Sequence, residues 1–338
     1  MDSARKQPNS APDAPLLEVR ALTKRFPVGG LLRTRRVHAA EDVSFSVQRG
    51  QVVAIVGESG SGKSTTVRLI ARLMPATSGE IFFEGRDVLK SEPKAASLAY
   101  RRKVQMIFQD PFSSLNGVHT IAHHLARPLL LHKTVAERGE LEERIHALLA
   151  EVGLNPAEEI ARRYPHQLSG GQRQRVAIAR ALSVSPELIL ADEPISMLDV
   201  SIRIGVLNLM AQLKEERRIA IVYITHDLAS ARYIGDQILV MYAGHMVEGG
   251  PSDALMDAPA HPYTRLLLSA VPDPHAGLRT QTESGARGEV PVLIDPPPGC
   301  PFTARCPRVT GVCRQAMPAV TQLGGGHWVR CTLYGSAE

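Results

Sequence analysis

The stretch "QVVAIVGESGSGKST", residues 51–65, constrains the fold more than any other. A short apolar run ending in glycine reads as a buried parallel strand feeding a loop. The segment from Gly57 to Ser64 fits the phosphate-loop spacing G-x-x-x-x-G-K-[ST]. Gly57, Gly60 and Gly62 let the backbone wrap tightly, so that the N–H groups of the loop, those of Ser59 and Ser61 among them, point inward at phosphate oxygens. "TVRLIARLM" follows with helical spacing and is expected to stop at Pro75; its positive N-terminal end, at Lys63, Ser64 and Thr65, adds to the site. Lys63 can bridge the outer phosphates, and the Ser64 hydroxyl can ligate Mg²⁺.

Further strand-like and helical stretches alternate along the chain. "LLEVRALTKRF" and "VSFSVQRGQVVAIVG" read as strands, and "GEIFFEGRDV" as a strand pair turned at Gly79 and Gly85. Residues 110–167 change character and form a helical insert around "ELEERIHALLAEVGL". "PELILADEP", "IAIVYITHD" and the hairpin "DQILVMYAGHMVEGG" return to strand, with helices between them. The expected class is α/β with a mainly parallel sheet. We divide the chain into a disordered tail, 1–15, a nucleotide-binding domain, 16–270, and a Pro-, Gly- and Cys-containing segment, 271–338. The N-terminal tail has no apolar core of signal-peptide length, and no apolar run approaches the ~18 residues of a membrane-spanning helix. The net charge of +5 is modest, and 4% aromatic residues leave little surface for stacking single-stranded nucleic acid. No nucleic-acid partner is expected.

Four side chains end apolar strands. Asp192 in "LILADEP" suits Mg²⁺, and the adjacent Glu193 is placed for a general base that activates water. Gln109 ends the strand in "MIFQDP", and His226 ends the one in "YITHD". In parallel sheets ligands gather at the carboxyl ends of strands, so these residues and the lysine loop describe one nucleotide hydrolysis site.

A second glycine turn, "LSGGQ" at 168–172, lies about a hundred residues beyond the first. With it the chain resembles the ATP-binding cassette (ABC) ATPases: Walker A "GESGSGKST", Q-loop "FQDP", signature "LSGGQRQRVAIARAL", Walker B "LILADEP", D-loop "SMLD" and the switch histidine of "THD" occur in order. The resemblance implies a RecA-like parallel core with an antiparallel β subdomain and a helical insert. It also implies a head-to-tail dimer, in which Ser169, Gly170, Gly171 and Gln172 complete the partner's ATP site. By the same resemblance Glu193 is the catalytic base, His226 contacts the γ-phosphate, Gln109 senses metal and water, and Asp199 communicates across the dimer. Phe26 is the candidate for stacking on adenine, with His38 as the alternative. Ile195, Met197 and Gly117 depart from the common pattern without removing a catalytic group.

"VQMIFQDPFSSLN", "RYPHQLSGG", "HPYTRLLLSAVP" and "GCPFTARCP" are similar to the oligopeptide/dipeptide permease ATPases. The basic insert "GGLLRTRRVH" and Phe112 resemble the second ATPase of an unequal pair. This resemblance implies a peripheral subunit at the cytoplasmic face of the membrane, working with a second cassette, two membrane-spanning permease subunits and an extracytoplasmic solute-binding protein. The solute would be a peptide or a related small molecule such as a nickel complex. All four cysteines, Cys300, Cys306, Cys313 and Cys331, fall in the last segment. Disulfides are disfavoured beside a cytoplasmic ATP site, and zinc favours closer pairs. Some relatives carry a [4Fe-4S] cluster in this tail, which makes the four cysteines candidate cluster ligands; zinc and reduced thiols remain open, with His261 and His327 as further candidate ligands. A soluble ABC ATPase acting on ribosomes or DNA is the rival function.

Overall fold

The structure, a computed structural model, describes residues 14–29, 35–92, 95–111, 113–135, 138–269 and 294–335. Most of the expected N-terminal tail, part of the basic insert, Phe112 and residues 270–293 lie outside these.

Two sheets form the frame. The larger has the order β11-β12-β10-β9-β3-β8-β7-β6. Its middle is parallel: β3 (Val52–Val56) lies between β8 (Ala220–Thr225) and β9 (Gln237–Tyr242), and β7 (Leu188–Asp192) joins β8 to β6 (Val104–Ile107). Every residue of β3, β7 and β8 is buried, which explains their continuous apolar runs: helices cover both faces. The one carboxylate in these strands, Asp192, stands at the end of β7.

The smaller sheet is antiparallel, with the order β2-β1-β4-β5 over Leu17–Val28 (β1), Arg35–Val47 (β2), Ser78–Phe83 (β4) and Arg86–Asp87 (β5). It touches the phosphate loop through the turn after β9: Glu41 N donates to Gly244 O, and Gly244 N donates to Ser61 O, at 2.9 and 2.8 Å.

The first helix, α1, covers Lys63–Ile70 and ends sooner than Pro75. Arg72 adopts a left-handed φ of 58°, and Leu73 N donates back to Arg68 O. That pairing closes the helix before proline is reached. Two short helices follow, α2 (Val88–Ser91) and α3 (Leu98–Lys103). The expected insert contains α4 (Ile121–Leu131), α5 (Arg138–Glu151) and α6 (Ala157–Arg162). Ile121, Leu125, Leu129, Leu148, Leu149 and Ile160 turn inward to a shared core. Beyond it run α7 (Gly170–Leu182), α8 (Val200–Arg217) and α9 (Leu228–Ile234).

The hairpin of β9 and β10 (His245–Pro251) forms as expected and leads to α10 (Ser252–Asp257) and α11 (Pro262–Ser269). The cysteine segment is not a detached appendage in its described part. Its strands β11 (Thr321–Gly324) and β12 (His327–Val329) extend the main sheet beside β10. Fully buried Glu248 holds the seam, accepting from Ala260 N at 2.7 Å, His261 N at 2.8 Å and His327 Nε2 at 2.8 Å. Three hydrogen bonds offset the cost of removing a carboxylate from water. Among the described residues no helix is long and apolar enough to cross a membrane.

Candidate functional site

The phosphate loop connects β3 to α1. Gly62 caps the helix with φ 105°, and a Cβ there would sit 2.2 Å from Ala39 O. At Gly57 an added Cβ would meet Met241 O, also at 2.2 Å. Only glycine fits where the loop passes this close to neighbouring backbone.

Lys63 is buried, and its Nζ donates to Gly57 O at 2.7 Å and Glu58 O at 2.9 Å. Burial lowers its pKa, while Glu193 and Asp192 oppose that shift. Ser64 Oγ donates to Asp192 Oδ1 at 2.7 Å. Asp192 is 1% exposed, and its pKa is raised chiefly by desolvation. Serine and carboxylate together make the hard oxygen pair that a divalent cation bound to phosphates requires.

Glu193 sits one residue past β7 with φ 47°, a left-handed geometry uncommon outside glycine. It is held there by its N–H donating to Ile224 O at 3.0 Å. Its carboxylate accepts from Gln109 Nε2 at 3.0 Å, lies 3.3 Å from His226 Nδ1, and stands 4.0 Å from Lys63 Nζ. The ends of β3, β6, β7 and β8 thus bring Lys63, Ser64, Gln109, Asp192, Glu193 and His226 together.

All of these except Asp192, which is reached through Ser64, face a cavity of about 790 Å³, also lined by Glu58, Ser59, Gly60, Gly62 and Thr65. Gly57 and Ser61 lie in the same loop, with Ser61 fully buried beneath it. On the side toward the small sheet the wall is Val37, His38 and Ala39. Phe26 is not among the lining residues. The register of β1 against β2 pairs it with Val37, and its ring lies 4.8 Å beneath the Lys24 ammonium. Of the two adenine candidates, His38 is the one on the cavity.

Ser169, Gly170, Gly171, Gln172 and Asp199 do not line this cavity. Ser169 caps α7, its Oγ accepting from Gln172 N at 3.3 Å while Gln172 Oε1 accepts from Ser169 N at 3.0 Å. This reciprocal box fixes the start of the helix and leaves the remaining first-turn N–H groups free to meet an anion. Asp199 starts α8 with no capping bond from its side chain.

Cys300, Cys306, Cys313 and Cys331 all line one small cavity of about 20 Å³, together with His261, and no disulfide joins them. That space suits a single water. Burial pushes the Cys300 thiol up to about 11. At Cys313 burial acts the same way, but hydrogen bonding with the Thr310 and Thr332 hydroxyls outweighs it and lowers the pKa. His327 is turned away to Glu248. Among the described residues no group of three or more His, Cys, Asp or Glu side chains is arranged to hold a metal ion. The thiols as placed therefore give no support to the [4Fe-4S] cluster that the resemblance implies, nor to zinc, its alternative.

One contact had no sequence signal. Arg305 reaches Glu58 in the phosphate loop with Nη1 at 2.8 Å and Nη2 at 3.0 Å from the two carboxylate oxygens. Tyr263 Oη accepts from Glu58 N at 2.9 Å. Glu58, Tyr263 and Arg305 each lie in a quoted motif, "GESGSGKST", "HPYTRLLLSAVP" and "GCPFTARCP", but nothing in the sequence joins the three.

Fold and site together define an ATP-binding cassette ATPase. Residues 40–196 match the family described as "ABC transporter", and residues 247–313 match "Oligopeptide/dipeptide transporter, C-terminal region". The oligopeptide transport ATP-binding protein AppF of Bacillus subtilis is 43% identical over 323 residues, covering 94% of this chain and 97% of that protein. The dipeptide transport ATP-binding protein DppF of Escherichia coli is 44% identical over 313 residues, covering 92% of each. Among solved structures, a dimeric post-hydrolysis state of the ATP-binding cassette MJ0796 bound to ADP and Pi is similar, with TM-score 0.62 and 30% identity. It matches 70% of this chain and 98% of that one. The chain belongs to the ABC transporter family, within its oligopeptide/dipeptide transport ATP-binding proteins.

Proposed function

We propose that this chain hydrolyses ATP to drive uptake of oligopeptides, dipeptides or related small solutes, as a peripheral subunit at the cytoplasmic face of a membrane importer. The observation that carries this is the convergence of Lys63, Ser64 and Glu193 on one cavity, with Asp192 hydrogen-bonded to Ser64, in a chain similar over almost its whole length to peptide transport ATP-binding proteins.

In this account the N–H groups of the phosphate loop and the Lys63 ammonium bind the β- and γ-phosphates. Ser64 and Asp192, with Gln109, would hold Mg²⁺, which supplies charge neutralisation on the phosphates when bound. Glu193 accepts a proton from the attacking water. His226, beside Glu193, would contact a γ-phosphate oxygen, and Gln109 would orient the same water. The signature turn starting at Ser169 serves a second cassette's nucleotide, and Asp199 faces that partner. Two permease subunits would dock near Gln109 and the insert of α4–α6, with a solute-binding protein delivering the substrate to them.

The test is ATP turnover by the purified chain with its partners. Glu193→Gln should lower kcat by about 10²–10⁴, the usual contribution of a general base, while ATP remains bound and the dimer stays closed. Full turnover in that variant would remove Glu193 from its role.

The [4Fe-4S] assignment rests on four thiols facing one cavity, which would have to widen to admit a cluster. Iron and acid-labile sulfide analysis of anaerobically purified protein decides it. About four irons per chain supports the cluster, and a stable iron-free protein rejects it.

A further inference from the structure

Glu58 follows the first glycine of the phosphate loop and is gripped at three points. Its carboxylate takes a two-pronged ion pair from Arg305, its N–H donates to Tyr263 Oη, and its carbonyl oxygen accepts from the Lys63 ammonium at 2.9 Å. The ion pair is partly shielded from water, with side-chain exposures of 12% for Arg305 and 29% for Glu58. Charge-assisted pairs with two parallel bonds add geometric specificity to a stronger hydrogen bond. Arg305 is itself braced. Its guanidinium lies 5.9 Å from the ring of Phe302 and 5.7 Å from that of Tyr242, and Phe302, 1% exposed, packs edge-on against Tyr242 at 5.2 Å. In sequence Arg305 lies between Cys300 and Cys306, which both line the thiol cavity.

Glu58 also lines the nucleotide cavity. A bare carboxylate there would repel a polyphosphate, and at short range in a partly desolvated site that repulsion is poorly screened. Arg305 cancels it and fixes the backbone segment on which Lys63 rests.

We infer that Arg305 is a positioning residue for the nucleotide site: from within the cysteine segment it neutralises and anchors Glu58, so that ATP affinity depends on the docking of that segment. The inference rests on the ATP-site assignment above and adds the C-terminal segment to it.

The experiment is ATP titration of turnover in the full-length chain with its partners, with thermal melting measured on the same samples. Arg305→Ala should raise KM for ATP about tenfold, ~1.4 kcal/mol of binding, with kcat changed less than about twofold. Arg305→Lys, which keeps the charge but loses the fork, should fall between the two. In a Glu58→Gln background the carboxylate is gone, and Arg305→Ala should shift KM by less than about twofold. A lowered melting temperature with unchanged KM would show a purely structural contact and overturn the inference. So would an equal KM shift in both backgrounds. A wild-type chain that neither binds nor hydrolyses ATP would overturn the nucleotide assignment itself.

Discussion

At the scale of single residues, the site depends on positions where side-chain bulk or charge has no alternative place. Gly62 is one. Its left-handed φ of 105° and the 2.2 Å approach of Ala39 O to an added Cβ leave no room for alanine. Gly62→Ala should therefore displace the loop and weaken ATP binding more than tenfold, as measured with a fluorescent ATP analogue. The expected cost combines backbone strain of about 1–3 kcal/mol with a clash against backbone that cannot rotate away. The lysine loop and the carboxylate pair were legible in the sequence because their spacing reflects this local geometry. The choice between Phe26 and His38 was not, since which of them lines the cavity is decided by tertiary packing, and His38 does.

At the scale of elements, the seam between the main sheet and the C-terminal segment is the acid-sensitive part of the fold. His245, at the start of β10, and His261, ahead of α11, both have pKa values lowered to about 4, mainly by burial. Glu41 and Asp42 oppose the shift at His245, while Arg330 and His38 add to it. An unfolded histidine takes up its proton near pH 6.5. Between pH 6.5 and 4 the unfolded chain thus binds more protons than the folded one, and stability falls as pH falls. Above about pH 7 both groups are neutral in either state and contribute nothing. The loss approaches about 3 kcal/mol for each histidine at pH 4. Hydrogen exchange at pH 4.5 should show faster opening of β10 and β12 than at pH 7, with β3 and β8 still protected. Uniform exchange across the sheet would contradict this. The central strands could be read from sequence because burial on both faces leaves an unbroken apolar run. Short β11, mostly exposed, and three-residue β12 carry no such pattern, and the pairing of β12 with β10 is a long-range contact, so the segment read as an appendage.

At the scale of the whole molecule, the signature turn explains why one chain carries two glycine-rich anion sites. The first is lined by its own Glu193 and Lys63; the second, at the start of α7, lies outside that cavity, as the proposed pairing with a second cassette requires. The proposed transport function needs an assembly, and the assembly is the least legible level in one sequence, because its contacts are made with residues of other chains. Arg305 illustrates the same limit within the chain: 247 positions separate it from Glu58, and no local spacing announces the pair. The most direct measurement is purification of the tagged chain from gently solubilised native membranes, with identification of every stoichiometric partner and assay of ATP turnover in the eluate. Two multi-span proteins and a second cassette, recovered together with ATPase activity, are the expected result. Recovery with ribosomes or nucleic acid, or of an active chain with no membrane protein, would contradict the transport function while leaving the ATPase intact.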